Sequence, residues 1–167
     1  LGTEAVLLDE GSDRYYFNRN LDYEYDVESF QKAVEQARQA SSLAQQMSAY
    51  RRVLELYKGH YLPWVEGTWA WAERERLWLL FKEASLQLAQ LHLDAGQYEQ
   101  VLKQCQHLLA KDPCLEQAHR LAMQAHAGLG NRAAVVRQYE LCCDTLLREV
   151  NAPPSSQTEA LYNMLLG

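Results

Sequence analysis

With 48% hydrophobic and 23% charged residues, the 167-residue chain is no disordered polymer, and it is long enough to bury a core without disulfides or metal. Its longest apolar stretch, Leu77 to Phe81, is far too short to span a membrane, and no basic-then-apolar leader opens it. The net charge of −6 is concentrated in residues 1–26, where seven acids face only Arg14 and Arg19, and nowhere is there the clustered basic face that grips a phosphate backbone.

In chain order, Ala5-Val6-Leu7-Leu8 is a short apolar run, Asp9 to Asp13 is turn chemistry, and Tyr15-Tyr16-Phe17 is aromatic and strand-prone. This predicts a β-hairpin. A lone hairpin is marginal in water, so it is expected to lean on Phe30 and Val34 of the helical body or on a domain that precedes it. A start at Leu1 rather than a methionine fits a piece of a longer protein.

From Asp26 every signal is helical. Asp26 reads as an N-cap ahead of Val27, Phe30, Val34 and Ala37. A second helix is expected from Leu43 to Tyr57, with Met47, Tyr50, Val53, Leu54 and Tyr57 on its stripe and Gly59 as its stop. After Pro63 a long helix spans about Thr68 to Ala95, with Leu77, Leu80, Phe81, Ala84, Leu88 and Leu91 facing inward, and Gly96 closes it. Three further stripes follow. The first holds Tyr98, Val101, Leu102, Cys105, Leu108 and Leu109; the second Ala118, Leu121, Ala122 and Ala125; the third Val135, Tyr139, Cys142 and Leu146. A last helix runs from Thr158 to Leu166.

These helices repeat. Gly96 and Gly130 stand 34 positions apart, the period of tetratricopeptide repeats, and at that offset Val101 falls on Val135 and Cys105 on Tyr139. The fold class expected is all-α: tetratricopeptide-like antiparallel helix pairs in a right-handed superhelix, with a short N-terminal β-hairpin.

Several motifs then resemble one family. Tyr57-Lys58-Gly59-His60-Tyr61-Leu62-Pro63, Trp71-Ala72-Glu73-Arg74-Glu75-Arg76-Leu77 and Asp112-Pro113-Cys114-Leu115-Glu116-Gln117-Ala118-His119-Arg120 look like the bacterial transcriptional activator domain of SARP-type regulators. Met123, Gly130, Tyr139-Glu140, Pro153-Pro154-Ser155, Thr158 and Leu161-Tyr162 continue the likeness over about residues 26 to 166. Where the family usually carries Gly-Val-Glu-Pro before its last helix, this chain has Asn151-Ala152-Pro153-Pro154. The resemblance implies two parts. Residues 1–25 would be the closing hairpin of a winged-helix DNA-binding domain plus a linker, and residues 26–167 the helical activator domain. It also implies that the helical part supports self-association and contacts with the transcription machinery, while the upstream domain reads DNA.

No constellation in the sequence suggests catalysis, a cofactor or a metal. There is no glycine-rich phosphate loop, and no CxxC pair among Cys105, Cys114, Cys142 and Cys143, which read as small core residues in a reducing cytoplasm. His119 and His126 lie two turns apart, roughly 10 Å, too far to share an ion unaided. The residues left for binding partners are Gln117, Arg120 and Gln124, one polar stripe at i, i+3, i+7, together with Trp64 and Trp71 from a group completed by Trp69 and Trp78. The same tryptophans would equally cap an open helical stack, and Glu73 to Arg76 reads either as a docking surface or as a solvated helix start. Two other functions stay open: a tetratricopeptide adaptor holding a peptide in its groove, and a small-molecule sensor with an aromatic pocket near Tyr61 to Trp78.

Overall fold

Asp26, expected as an N-cap, is instead the first residue of helix α1 (Asp26–Gln39), its carboxylate accepting a hydrogen bond from the adjacent Val27 amide at 2.8 Å. Val27, Phe30, Ala33, Val34 and Ala37 then form one buried stripe. Ser42 caps α2 (Leu43–Leu56), its hydroxyl accepting from the Gln45 amide at 3.3 Å. Five more helices follow: α3 (Thr68–Asp94), α4 (Tyr98–Leu109), α5 (Glu116–Gly128), α6 (Arg132–Val150) and α7 (Ser156–Leu166). The computed structural model describes residues 6–9, 11, 14–17, 26–59 and 67–167. Ahead of the helices, β1 (Val6–Asp9) and β2 (Arg14–Phe17) pair antiparallel, with Val6 opposite Phe17 and Asp9 opposite Arg14. The expected docking of Tyr15 or Phe17 on Phe30 concerns strand side chains outside the described residues, as do the linker at 21–25 and Trp64.

Each helix packs on its neighbours in sequence, α1 on α2, α2 on α3, and so on to α7, which lies on both α5 and α6. The fold is thus an all-α array of helix pairs. Its repeat is written in the turns. After α3 the Gly96 amide bonds to Leu93 O and the Gln97 amide to His92 O; after α5 the Gly130 amide bonds to Ala127 O and the Asn131 amide to His126 O. Both are Schellman closures, which need a left-handed residue, and Gly96 and Gly130 have φ of 69° and 71°. The two closures sit 34 residues apart, as the sequence period requires.

α3 departs from the one-sided stripe expected of it. At 27 residues it is about 40 Å long, and from Ala84 to His92 it is buried on more than one side, because α2, α4 and α5 all pack on it. Ser85, Leu86, Ala89 and His92 are therefore core residues, while Leu80 and Leu91 are only half-buried. At the junction of α1, α2 and α3 the Tyr57 ring stacks on Phe81 at 4.2 Å and tilts toward Phe30 at 5.9 Å and Trp78 at 6.4 Å. The Lys111 ammonium sits 5.7 Å from both the Tyr57 and Trp78 ring centres.

Candidate partner-binding surface

The polar stripe expected on α5 is divided by the structure. Gln117 is exposed on the first turn. Arg120 is half-buried, its Nη1 donating to Thr158 Oγ1 at 2.9 Å, and Gln124 Nε2 reaches back to Arg120 O at 3.4 Å. Arg120 thus serves the interior. It belongs to a junction centred on Glu116, whose Oε2 accepts from the Ser155 amide at 2.9 Å, Ser155 Oγ at 2.7 Å and Thr158 Oγ1 at 2.5 Å. Ser155 stands at the N-cap of α7 without a side-chain cap of its own, so a carboxylate from another helix caps it. Burial pushes the Glu116 carboxyl up, but the bonds from Thr158 and Ser155 and the Arg120 charge outweigh it and leave the group below the usual carboxylate value. The far end of α7 is held by Arg132 Nη2 donating to Leu166 O at 2.6 Å, and its middle by Tyr162 stacked on Tyr139 at 3.9 Å.

His119, poorly placed by its spacing to bind a metal, is a buried connector. Gln138 Nε2 donates to its Nδ1 at 2.6 Å, so its Nε2–H donates to Pro113 O at 3.0 Å, which ties the loop before α5 to α6. Burial holds this imidazole neutral below its ordinary pKa, against the contrary pull of Pro113, Gln138 and Glu116. Burial likewise pushes the Cys105 and Cys142 thiols up to about 12, so neither is a thiolate near neutral pH.

Trp71 is 64% exposed near the start of α3, on a different element from the α5 stripe, and no described interaction joins the two. Trp78 is inside the aromatic junction, so these two tryptophans are split between surface and packing. In the charged run that follows Trp71, Arg76 and Glu73 satisfy each other through two bonds of 2.8 and 2.6 Å.

One groove is not foreseen by the sequence pattern. Leu102, Cys105 and Leu109 of α4, Ala122 and His126 of α5, and Gln138 and Leu141 of α6 line a cavity of about 410 Å³ open to solvent. Leu102 and Leu109, expected in the core stripe of α4, are half-buried, packed against the core on one side and lining this groove on the other. Leu141 stands outside the apolar stripe of α6, and that offset is the one trace of the groove in the sequence.

The array of helix pairs, the 34-residue closures and the interhelical cap together cover the region in which the family motifs occur. The family model for the bacterial transcriptional activator domain matches residues 25–166. The chain belongs to that family. A comparison with curated proteins finds no relative. Membership makes this activator domain a regulatory module of transcription, and among its described residues no helix is long and apolar enough to cross a membrane.

Proposed function

We propose that the activator domain is the regulatory, self-associating and protein-contacting part of a cytoplasmic SARP-type transcriptional activator whose winged helix precedes residue 1. The observation that carries this is the match over residues 25–166, which begins where the paired strands have ended and takes in all seven described helices. On this reading residues 1–25 are the last hairpin of the DNA-reading domain, and the helix pairs wind into a right-handed superhelix. Its surfaces hold two DNA-binding domains at fixed spacing or meet the transcription machinery, with Gln117 and Trp71 as exposed contacts. The acidic opening segment and the lack of a clustered basic run in the sequence agree with DNA being read elsewhere.

The test is a mobility-shift titration of two proteins, the 167-residue chain and the same chain extended by the residues encoded upstream. The extended protein is expected to give a sequence-selective complex and the chain alone none. Selective binding by the chain alone, or none by the extended protein, would refute the division of labour.

A further inference from the structure

The connection from α6 to α7 has the features of a hinge. It is short, residues 151–155, and Pro153 and Pro154 within it fix two φ angles and favour an extended path. The reversal that returns α7 to its own body therefore falls on Asn151. At φ 51° and ψ 43° it is the one non-glycine residue with positive φ among those described. A short connection held in such a conformation favours exchange of the segment beyond it between two copies. Moving Asn151 to negative φ opens the turn, and the contacts that α7 gives up re-form with the other chain.

What α7 exchanges is small and specific. Thr158 is its one buried residue, and Glu116, Arg120, Arg132 and Tyr139 supply the polar bonds and the ring stack described above. Each of these joins α7 or its N-cap to α5 or α6, so the α7 of another copy can take them over unchanged. Exchange also creates a new contact where the two hinges cross beside a two-fold axis, and the end of α6 suits it. Residues 147–150 are all exposed, so the last turn of α6 stands clear of the body. Leu147 and Val150, three apart on one face, are 62% and 56% exposed. Asp144 and the Arg148–Glu149 ion pair border them as a polar rim. In a monomer these two apolar side chains stay in water just before the hinge; in an exchanged pair each lies against its symmetry mate.

We propose that two copies of this chain exchange α7, each seating its Ser156–Leu166 helix on α5 and α6 of the other, with Leu147 and Val150 packed across the two-fold axis. The inference rests on the self-associating role proposed above and names the surface that carries it.

The test mixes isotope-labelled and unlabelled 167-residue chain in urea, refolds them together and isolates the dimer by size exclusion. Isotope-filtered NOE spectra then read whether Tyr139 of a labelled chain meets Tyr162 of an unlabelled one, rings that stack at 3.9 Å. Cross-chain NOEs are expected. Leu147→Asp, at an exposed position, is expected to raise the dimer dissociation constant about tenfold or more. A Gly-Ser-Gly insertion after Ala152 lets α7 return to its own body without the sharp turn, and is expected to leave a monomer that keeps the Tyr139–Tyr162 NOE within one chain. A dimer without cross-chain NOEs, or one that survives the insertion, would overturn the exchange and leave self-association to another surface. A chain that stays monomeric at NMR concentration would overturn both the exchange and the self-association of this domain, whereas the division of labour in DNA reading is decided by the mobility shifts alone.

Discussion

Three glycines of the repeat illustrate how different demands fall on one residue type. Gly130 has a φ of 71°, and no atom lies within 4 Å of the place a Cβ would take, so its requirement is purely conformational. Gly130→Val is expected to lower stability by about 1 kcal/mol or more, while Gly130→Asn, which tolerates the left-handed region, costs less; urea melts of the two would rank them. Gly96 shares that geometry. Gly128 does not. A Cβ there would collide with the Tyr98 ring, so Gly128→Ala strains packing between the end of α5 and the start of α4. From sequence, Gly96 and Gly130 are legible because glycine after a helical stripe marks a stop, whereas the need for Gly128 depends on a ring thirty residues away.

At the scale of elements, α7 is held by polar contacts as well as by apolar ones. Thr158 is its one fully buried residue, and Glu116, Arg120, Arg132 and the Tyr139–Tyr162 stack hold it in place. Glu116→Ala removes the cap from the α7 N-terminus and leaves Thr158 and the Ser155 amide without their acceptor, a loss of about 1–2 kcal/mol. Hydrogen exchange should locate that loss, with amides at 156–166 speeding up more than those of α4 or α5. Uniform acceleration across all helices would show instead that α7 is an integral part of the cooperative unit. The helix itself was legible from Leu161 and Leu165. Its polar means of attachment was not, since nothing near Glu116 or Arg120 in sequence shows that α7 folds back to meet them.

For the molecule as a whole, the buried His119 links stability to pH. Burial lowers its folded pKa below the ordinary 6.5, so the unfolded chain takes up a proton that the folded chain resists. Stability is therefore fully present above about pH 6.5 and declines as pH falls toward the folded value. His126, lowered by burial and by Arg137, adds in the same direction. The Glu116 contribution is lost only below its ordinary value of 4.5. Thermal midpoints should thus fall between about pH 7 and about pH 5, and His119→Gln should flatten the decline without abolishing it. An unchanged slope in that variant would mean that the Pro113–His119–Gln138 bridge does not govern the response.

Helix existence, order and period were determined by the sequence alone, because apolar spacing, Ser42, Gly96 and Gly130 act through local geometry that neighbours in the chain enforce. Family membership was legible for the same reason, its motifs being contiguous runs. Tertiary structure decided which apolar residues are core. Ser85 and His92 are buried because α3 is enclosed by three other helices, whereas Leu102, Leu109 and Leu141 line a groove open to solvent. It also gave Arg120 a bond within the fold, since its partner Thr158 lies 38 residues on and meets it only when α7 folds back onto α5. Spacing along one helix shows which side chains share a face; what that face meets depends on the helices that arrive from elsewhere in the chain.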